Sequence, residues 1–187
     1  MGPWSRSAKG GELPVLTLSL RPHPDSSSAV TRIEVGVARK ASHVLDLTYL
    51  IFGALHRVSF PPAQPSSRAD GLWKHSCFEA FLGAGQGYYE FNFSPSSQWA
   101  AYRFDRHREG MRDAPLTDPS IGWRADEGVA RLHARLRLPS DVTGRLGLSA
   151  VIEDKDGNRS FWALAHPPGP PDFHHAACFA AELPPAD

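Results

Sequence analysis

Glu79 and Glu90 lie in two neighbouring strand-like segments, 73–82 and 88–93, separated by the glycine-rich stretch 83–87. A hairpin there brings the two carboxyls together, and a carboxyl pair in a cleft is the equipment of a glycoside hydrolase. Carboxylates on paired strands are also common in solvated sheets, where each meets an arginine, so the pair by itself does not specify an enzyme. No Gly-x-Ser-x-Gly elbow and no phosphate-binding loop is present, and no constellation in the chain reads as catalytic. Met111 is the one methionine after Met1. With His75, His166, His174 or His175 it would form the Met/His pair that ligates haem. The charges around it, Arg108, Glu109 and Arg112, argue against a haem-facing position. His166, His174 and His175 share a proline-rich stretch with Asp172. Adjacent histidines in an extended chain point opposite ways, so a surface loop is a simpler reading than a metal site. Cys77 and Cys178 fit no zinc or redox spacing. Two free buried thiols are favoured over a disulfide, because cysteine behaves as a small apolar residue. The sequence therefore asks for no metal and no cofactor.

These residues need a packed scaffold, and the bulk numbers allow one. The chain has 187 residues, 41% of them hydrophobic and 21% charged, which suits a folded domain and not a disordered one. Lysine plus arginine equals aspartate plus glutamate at 20 each. A net charge of zero gives no electrostatic reason to expect nucleic acid or a membrane surface as partner. Residues 1–11 are polar and rich in glycine and serine, without the apolar run of a secretory signal, and no stretch is long and apolar enough for a membrane helix. The expectation is a soluble cytoplasmic chain with a flexible segment over 1–12 and a single domain over 13–187.

The pattern that positions the chemistry is short alternating segments between turn residues, which predicts an all-β sandwich. Leu16, Leu18 and Leu20 alternate with polar neighbours, as do Ile33, Val35 and Val37. Residues 44–51 form a third apolar run, and part of 42–53 can also be read as helix. Residues 60–70 are a proline- and serine-rich loop. Three strands are expected over 73–82, 88–93 and 98–105, followed by an exposed loop over 106–120. Leu132, Ala134, Leu136 and Leu138 alternate with Arg131, His133, Arg135 and Arg137, giving an apolar face and a basic, solvated one. Segments 146–154 and 160–165 flank Lys155-Asp156-Gly157-Asn158, which predicts a hairpin with a type I′ turn. A last strand is expected within 178–183.

The run Leu72-Trp73-Lys74-His75-Ser76-Cys77-Phe78-Glu79-Ala80-Phe81-Leu82 resembles the signature strand of family 9 carbohydrate-binding modules. Tyr88 to Pro95 and Gln98 to Tyr102 resemble the hairpin that follows it in that family. The whole is similar to small bacterial DOMON-like proteins. The resemblance implies a jelly-roll-like antiparallel β-sandwich with a ligand site on one sheet face or at its rim. In carbohydrate-binding members of the family two tryptophans sandwich a sugar ring while an acid, an arginine and an amide hold its hydroxyls. In other DOMON members a methionine and a histidine ligate haem. The chain departs from the family at Lys74-His75-Ser76, where acidic residues are expected.

A pyranose has apolar faces and a polar edge, so aromatic rings and charged or amide groups suit it. Trp73 and Glu79 match the tryptophan and acid of the motif, and in a regular strand their spacing puts them on one face. Trp99 and Arg103 share a face of their own strand, and Trp162 is a candidate second wall. Trp73, Glu79, Arg103, Trp162 and Trp99 are thus the candidate ligand contacts in a non-catalytic module whose partner is a saccharide or glycan. The tryptophans read equally well as core aromatics. Two alternatives stand beside this one: a structural or protein-interaction sandwich without a small ligand, and a haem-binding DOMON domain.

Overall fold

The computed structural model describes residues 15–115 and 118–186; the expected N-terminal segment 1–12 lies outside the described residues. Twelve strands follow in chain order: β1 (Leu16–Pro22), β2 (Val30–Ala41), β3 (Val44–Gly53), β4 (Cys77–Ala84), β5 (Gly87–Phe93), β6 (Trp99–Phe104), β7 (Arg112–Asp113), β8 (Ser120–Asp126), β9 (Val129–Arg137), β10 (Val142–Glu153), β11 (Arg159–Ala163) and β12 (Ala181–Glu182). They form one antiparallel sheet, ordered β7-β6-β5-β4-β10-β11-β1-β2-β3-β9-β8, with β12 added beside β10. The sheet curls over into two layers at β1. Leu16 to Leu20 pair with β2 in the first layer, and Arg21 and Pro22 pair with β11 in the second. This is the antiparallel β-sandwich that the alternation predicts. No helix among the described residues is long and apolar enough to cross a membrane.

The core fills the space between the layers. Val35, Leu47, Tyr49 and Leu132 of the first layer meet Phe78, Leu82, Phe91 and Leu148 of the second. β9 shows the cleanest correspondence with its sequence: Leu132, Ala134 and Leu136 are buried while Arg131, Arg135 and Arg137 are exposed. Tyr49 crosses the core, and its hydroxyl donates to the Glu79 carbonyl at 2.7 Å, pinning one layer to the other.

The central strands of the second layer, β4 and β5, are buried on both faces. Every residue of β4 and β5 is buried, although only one face meets the core. Their outer face carries its own apolar cluster of Phe81, Tyr88, Tyr102 and Phe104, covered by Trp73, Phe173 and Phe179. Gly85, at φ 53°, starts the turn that joins β4 to β5, where a positive φ is required. A side chain at Gly87 would strike the Phe104 carbonyl of the adjacent strand.

Several local expectations change. Residues 44–53 are strand, not helix, because the chain there is a central strand between β2 and β9. Trp73 lies in a 3-10 turn, Leu72–Lys74, and the strand begins only at Cys77. The expected exposed loop over 106–120 contains β7, and β8 follows it, with Ile121 and Trp123 packed on the core. The hairpin at 155–158 forms, but not through a type I′ turn. Lys155 and Asp156 keep negative φ, Gly157 alone is left-handed at 85°, and its N–H donates to the Asp154 carbonyl at 3.1 Å. That is a three-residue loop closed by a glycine bulge. The Asp154 carboxylate stabilises it by accepting from the N–H groups of Asp156 and Asn158. Over 178–183 only Ala181–Glu182 is strand, and Cys178 ends a 3-10 turn.

Candidate functional site

The outer face of the second layer holds a cleft of about 310 Å³, at the small end of the range for ligand sites. Glu79 of β4 and Glu90 of β5 form its floor, with Val151 of β10 and Phe161 of β11 beside them. Alternation puts these residues on one side: Glu79 pairs with Asn92 and Phe81 with Glu90, so the two glutamates are diagonal neighbours on adjacent strands. Trp73 and Phe104 stand at one end. The loop after β6 supplies Arg108 and Met111, and the segment after β11 supplies Pro171, Phe173 and His174.

The floor is polar and largely buried. Glu79 is 2% exposed and Glu90 5%. Ser149 donates its hydroxyl to Glu79 Oε2 at 2.8 Å, and the Asn92 amide donates to Glu90 Oε1 at 2.7 Å. Burial pushes the Glu79 carboxyl up, and the charge of Glu90 adds to it; the bond from Ser149 opposes both without cancelling them. Burial likewise raises Glu90 against the pull of Asn92 and Arg108. The pair thus holds on to protons that exposed carboxyls have already lost.

His174 stands over the floor, with Nε2 3.7 Å from Glu90 Oε2. Burial, helped by the charge of Arg108, lowers it to about 4, so the ring is neutral near pH 7. The Tyr88 oxygen accepts from the Arg108 N–H at 3.1 Å and lies 2.8 Å from His174 Nδ1. The arrangement that uses every donor has Tyr88 donating to Nδ1 and the Nε2–H aimed at Glu90. Asp172 clasps the two wall loops. It accepts from Arg108 Nε and Nη2 at 3.1 and 2.9 Å, meets His107 Nε2 at 2.8 Å, and accepts from the His174 N–H at 3.2 Å. Burial works against the Asp172 charge, but the bonds from His107 and Arg108 outweigh it and hold the carboxyl below its usual value.

The structure brings Trp73 and Glu79 together in the cleft and puts the other three expected contacts elsewhere. Trp99 and Trp162 are 5% and 2% exposed within the core between the layers. Arg103 lies with Trp99 on the inner side of β6 and donates to the carbonyls of Ala84 and Tyr88 at 2.9 and 3.1 Å, tying the strand ends. Its guanidinium sits over Tyr89. Trp73 packs edge-on against Tyr102 at 6.0 Å and is half-buried. Phe104, Phe161, Phe173, Asn92 and Arg108 went unread as site residues. Phe104 and Asn92 were recoverable: counting alternate residues from Glu90 along the β5–β6 hairpin selects both.

The other histidines considered as ligands have separate partners. His75 pairs with Glu153, His166 Nε2 bonds the Arg21 carbonyl, and the side chain of His175 caps the turn at Ala177. Among the described residues no three His, Cys, Asp or Glu side chains converge to hold a metal ion. Met111 and His174 both line the cleft, but both nitrogens of His174 face protein partners. Cys77 and Cys178 are buried and carry free thiols.

No protein-family model and no curated protein matches the sequence. Solved structures do match the fold. One is a protein from Bacteroides uniformis described as a candidate carbohydrate-binding protein, with TM-score 0.58 and 14% identity over 88% of this chain and 84% of that one. Another is a family 9 carbohydrate-binding module from Caldicellulosiruptor kristjanssonii in complex with cellotriose, with TM-score 0.54 and 9% identity over 89% of this chain and 83% of that one. At such identities the likeness is one of architecture, and the chain has the β-sandwich fold of family 9 carbohydrate-binding modules.

Proposed function

We propose that the cleft on the outer face of the second layer binds a saccharide without transforming it. The observation that carries this is the composition of the cleft. Apolar rings at Trp73, Phe104, Phe161 and Phe173 enclose a floor of buried hydrogen-bonding groups at Glu79 and Glu90. Sugar rings need this combination: C–H faces pack on aromatic surface while hydroxyls reach polar groups already stripped of water. The fold shared with a module bound to cellotriose supports the same reading.

A non-catalytic role is favoured by how the carboxyls are placed. Glycoside hydrolysis needs them to flank the scissile bond. Here Glu79 and Glu90 rise side by side from one sheet surface and are largely buried in the floor, not set on opposite walls of the cleft. The engaged nitrogens of His174 likewise disfavour haem ligation.

Titration with a panel of mono- and disaccharides, followed by calorimetry and tryptophan fluorescence, tests the proposal. The expected result is saturable binding that Trp73→Ala weakens at least about five-fold, since one stacking aromatic contributes about 1–3 kcal/mol. No heat with any sugar, or binding unchanged in Trp73→Ala, would refute it.

A further inference from the structure

We infer that the cleft is built for a sugar bearing a free amino group, whose ammonium sits over Glu79 and Glu90. This rests on the saccharide reading above and narrows its ligand class. The floor lacks a cation. Glu79 Oε1 has no hydrogen bond among the described residues, and Glu90 Oε2 has only the long approach of His174 Nε2 at 3.7 Å. No lysine or arginine among the described residues forms an ion pair with either carboxyl. Two buried acids without a counter-charge are costly, and the structure relieves the cost by keeping protons on them.

A neutral hydroxyl donates one hydrogen bond and brings no charge. An ammonium donates three and brings the charge that lets both carboxyls ionise, so its bonds are charge-assisted. The aromatic walls add to this preference, because ring faces attract cations. The other charged groups leave the position open. Arg108 is held by Asp172, Arg159 stands exposed at the rim, and Tyr88 and His174 are neutral near pH 7.

Calorimetric titration at pH 6 with glucosamine, glucose, N-acetylglucosamine and methylammonium tests the inference. Glucosamine should bind at least about ten-fold tighter than glucose or N-acetylglucosamine, the difference expected of one charge-assisted contact. Its binding should release protons, read as a heat that changes with the ionisation enthalpy of the buffer. The preference, read as the ratio of glucosamine to glucose affinity within each protein, should vanish in Glu79→Gln and in Glu90→Gln. Both amides keep the volume of the side chain, and their folding is checked by urea unfolding. Equal, Trp73-dependent affinities for glucosamine and glucose would overturn the inference and leave the saccharide reading standing. Silence from all three sugars would overturn both. Methylammonium binding as tightly as glucosamine would overturn the assignment to a sugar.

Discussion

His174 gives the sharpest handle on the electrostatics of the cleft. Its value falls from 6.5 to about 4, because its charged form is buried against the outer cluster and faces Arg108. The side chain is 14% exposed, so solvent screens little of this. In the unfolded chain the ring takes a proton below pH 6.5, while the folded ring refuses it down to about 4. The native state therefore binds fewer protons across this window, and stability falls as pH drops through it. At 1.36 kcal/mol per pH unit, the histidine contribution present above pH 6.5 and lost by pH 4 is about 3 kcal/mol. His174→Gln removes the titration and still offers Tyr88 an acceptor. Urea unfolding of both proteins at pH 7.5, 6, 5 and 4 measures the difference. Between pH 7.5 and 4 the variant should gain about 3 kcal/mol on the parent. Glu90 cannot rescue the imidazolium, because it is itself protonated in that range. The contribution of Asp46, which lies in the other layer, is common to both proteins and cancels. A difference that stays flat with pH would refute the burial argument.

Glu79→Gln should show the opposite dependence. Its raised folded value means its stability contribution is complete at acid pH and is lost as pH rises, so the variant should match the parent at pH 4 and exceed it at pH 8 in urea unfolding. Tyr49→Phe deletes the hydroxyl that crosses the core to the Glu79 carbonyl and should destabilise by about 1–2 kcal/mol, read by calorimetry as a Tm lower by about 2–6 °C. Trp162→Ala opens a cavity between the layers and should lose about 3–5 kcal/mol in denaturant unfolding. An effect under 1 kcal/mol would mean that Trp162 is not the core residue described.

Most of the sandwich was legible because one-sided strands announce themselves. In β9 the alternation of leucine and arginine names both faces, and in β2 the alternate apolar residues Ile33, Val35 and Val37 fix the inner one. The site was legible only in part because its floor lies on strands buried on both sides. In β4 and β5 nothing in the pattern tells the face of Glu79 and Glu90 from that of Phe78 and Phe91. Trp99 and Trp162 have the right side chains for a sugar platform and the wrong parity, which emerges only once the second layer has a core side. The walls were hidden for another reason. Phe173, His174 and Arg108 come from irregular segments joined through Asp172, and no periodicity connects residues 64 positions apart. β8 was missed because its edge position exposes much of it and leaves only Ile121 and Trp123 as apolar signal.

The strand that belongs to both layers has a consequence for biogenesis. β1 finds its first partner at once, since β2 follows within a short loop. Its second partner is β11, and Arg21 pairs with Ala163. During synthesis at the ribosome the two layers therefore cannot be sutured until residue 163 has emerged. Until then the β1 end from Arg21 to Pro22 stays open, and the edge of β4 stays open until β10 has emerged. Such long-range closure is slow. Through that interval Phe78, Ala80 and Leu82 are available to any other nascent chain nearby, which makes dilution and chaperone capacity decisive for yield.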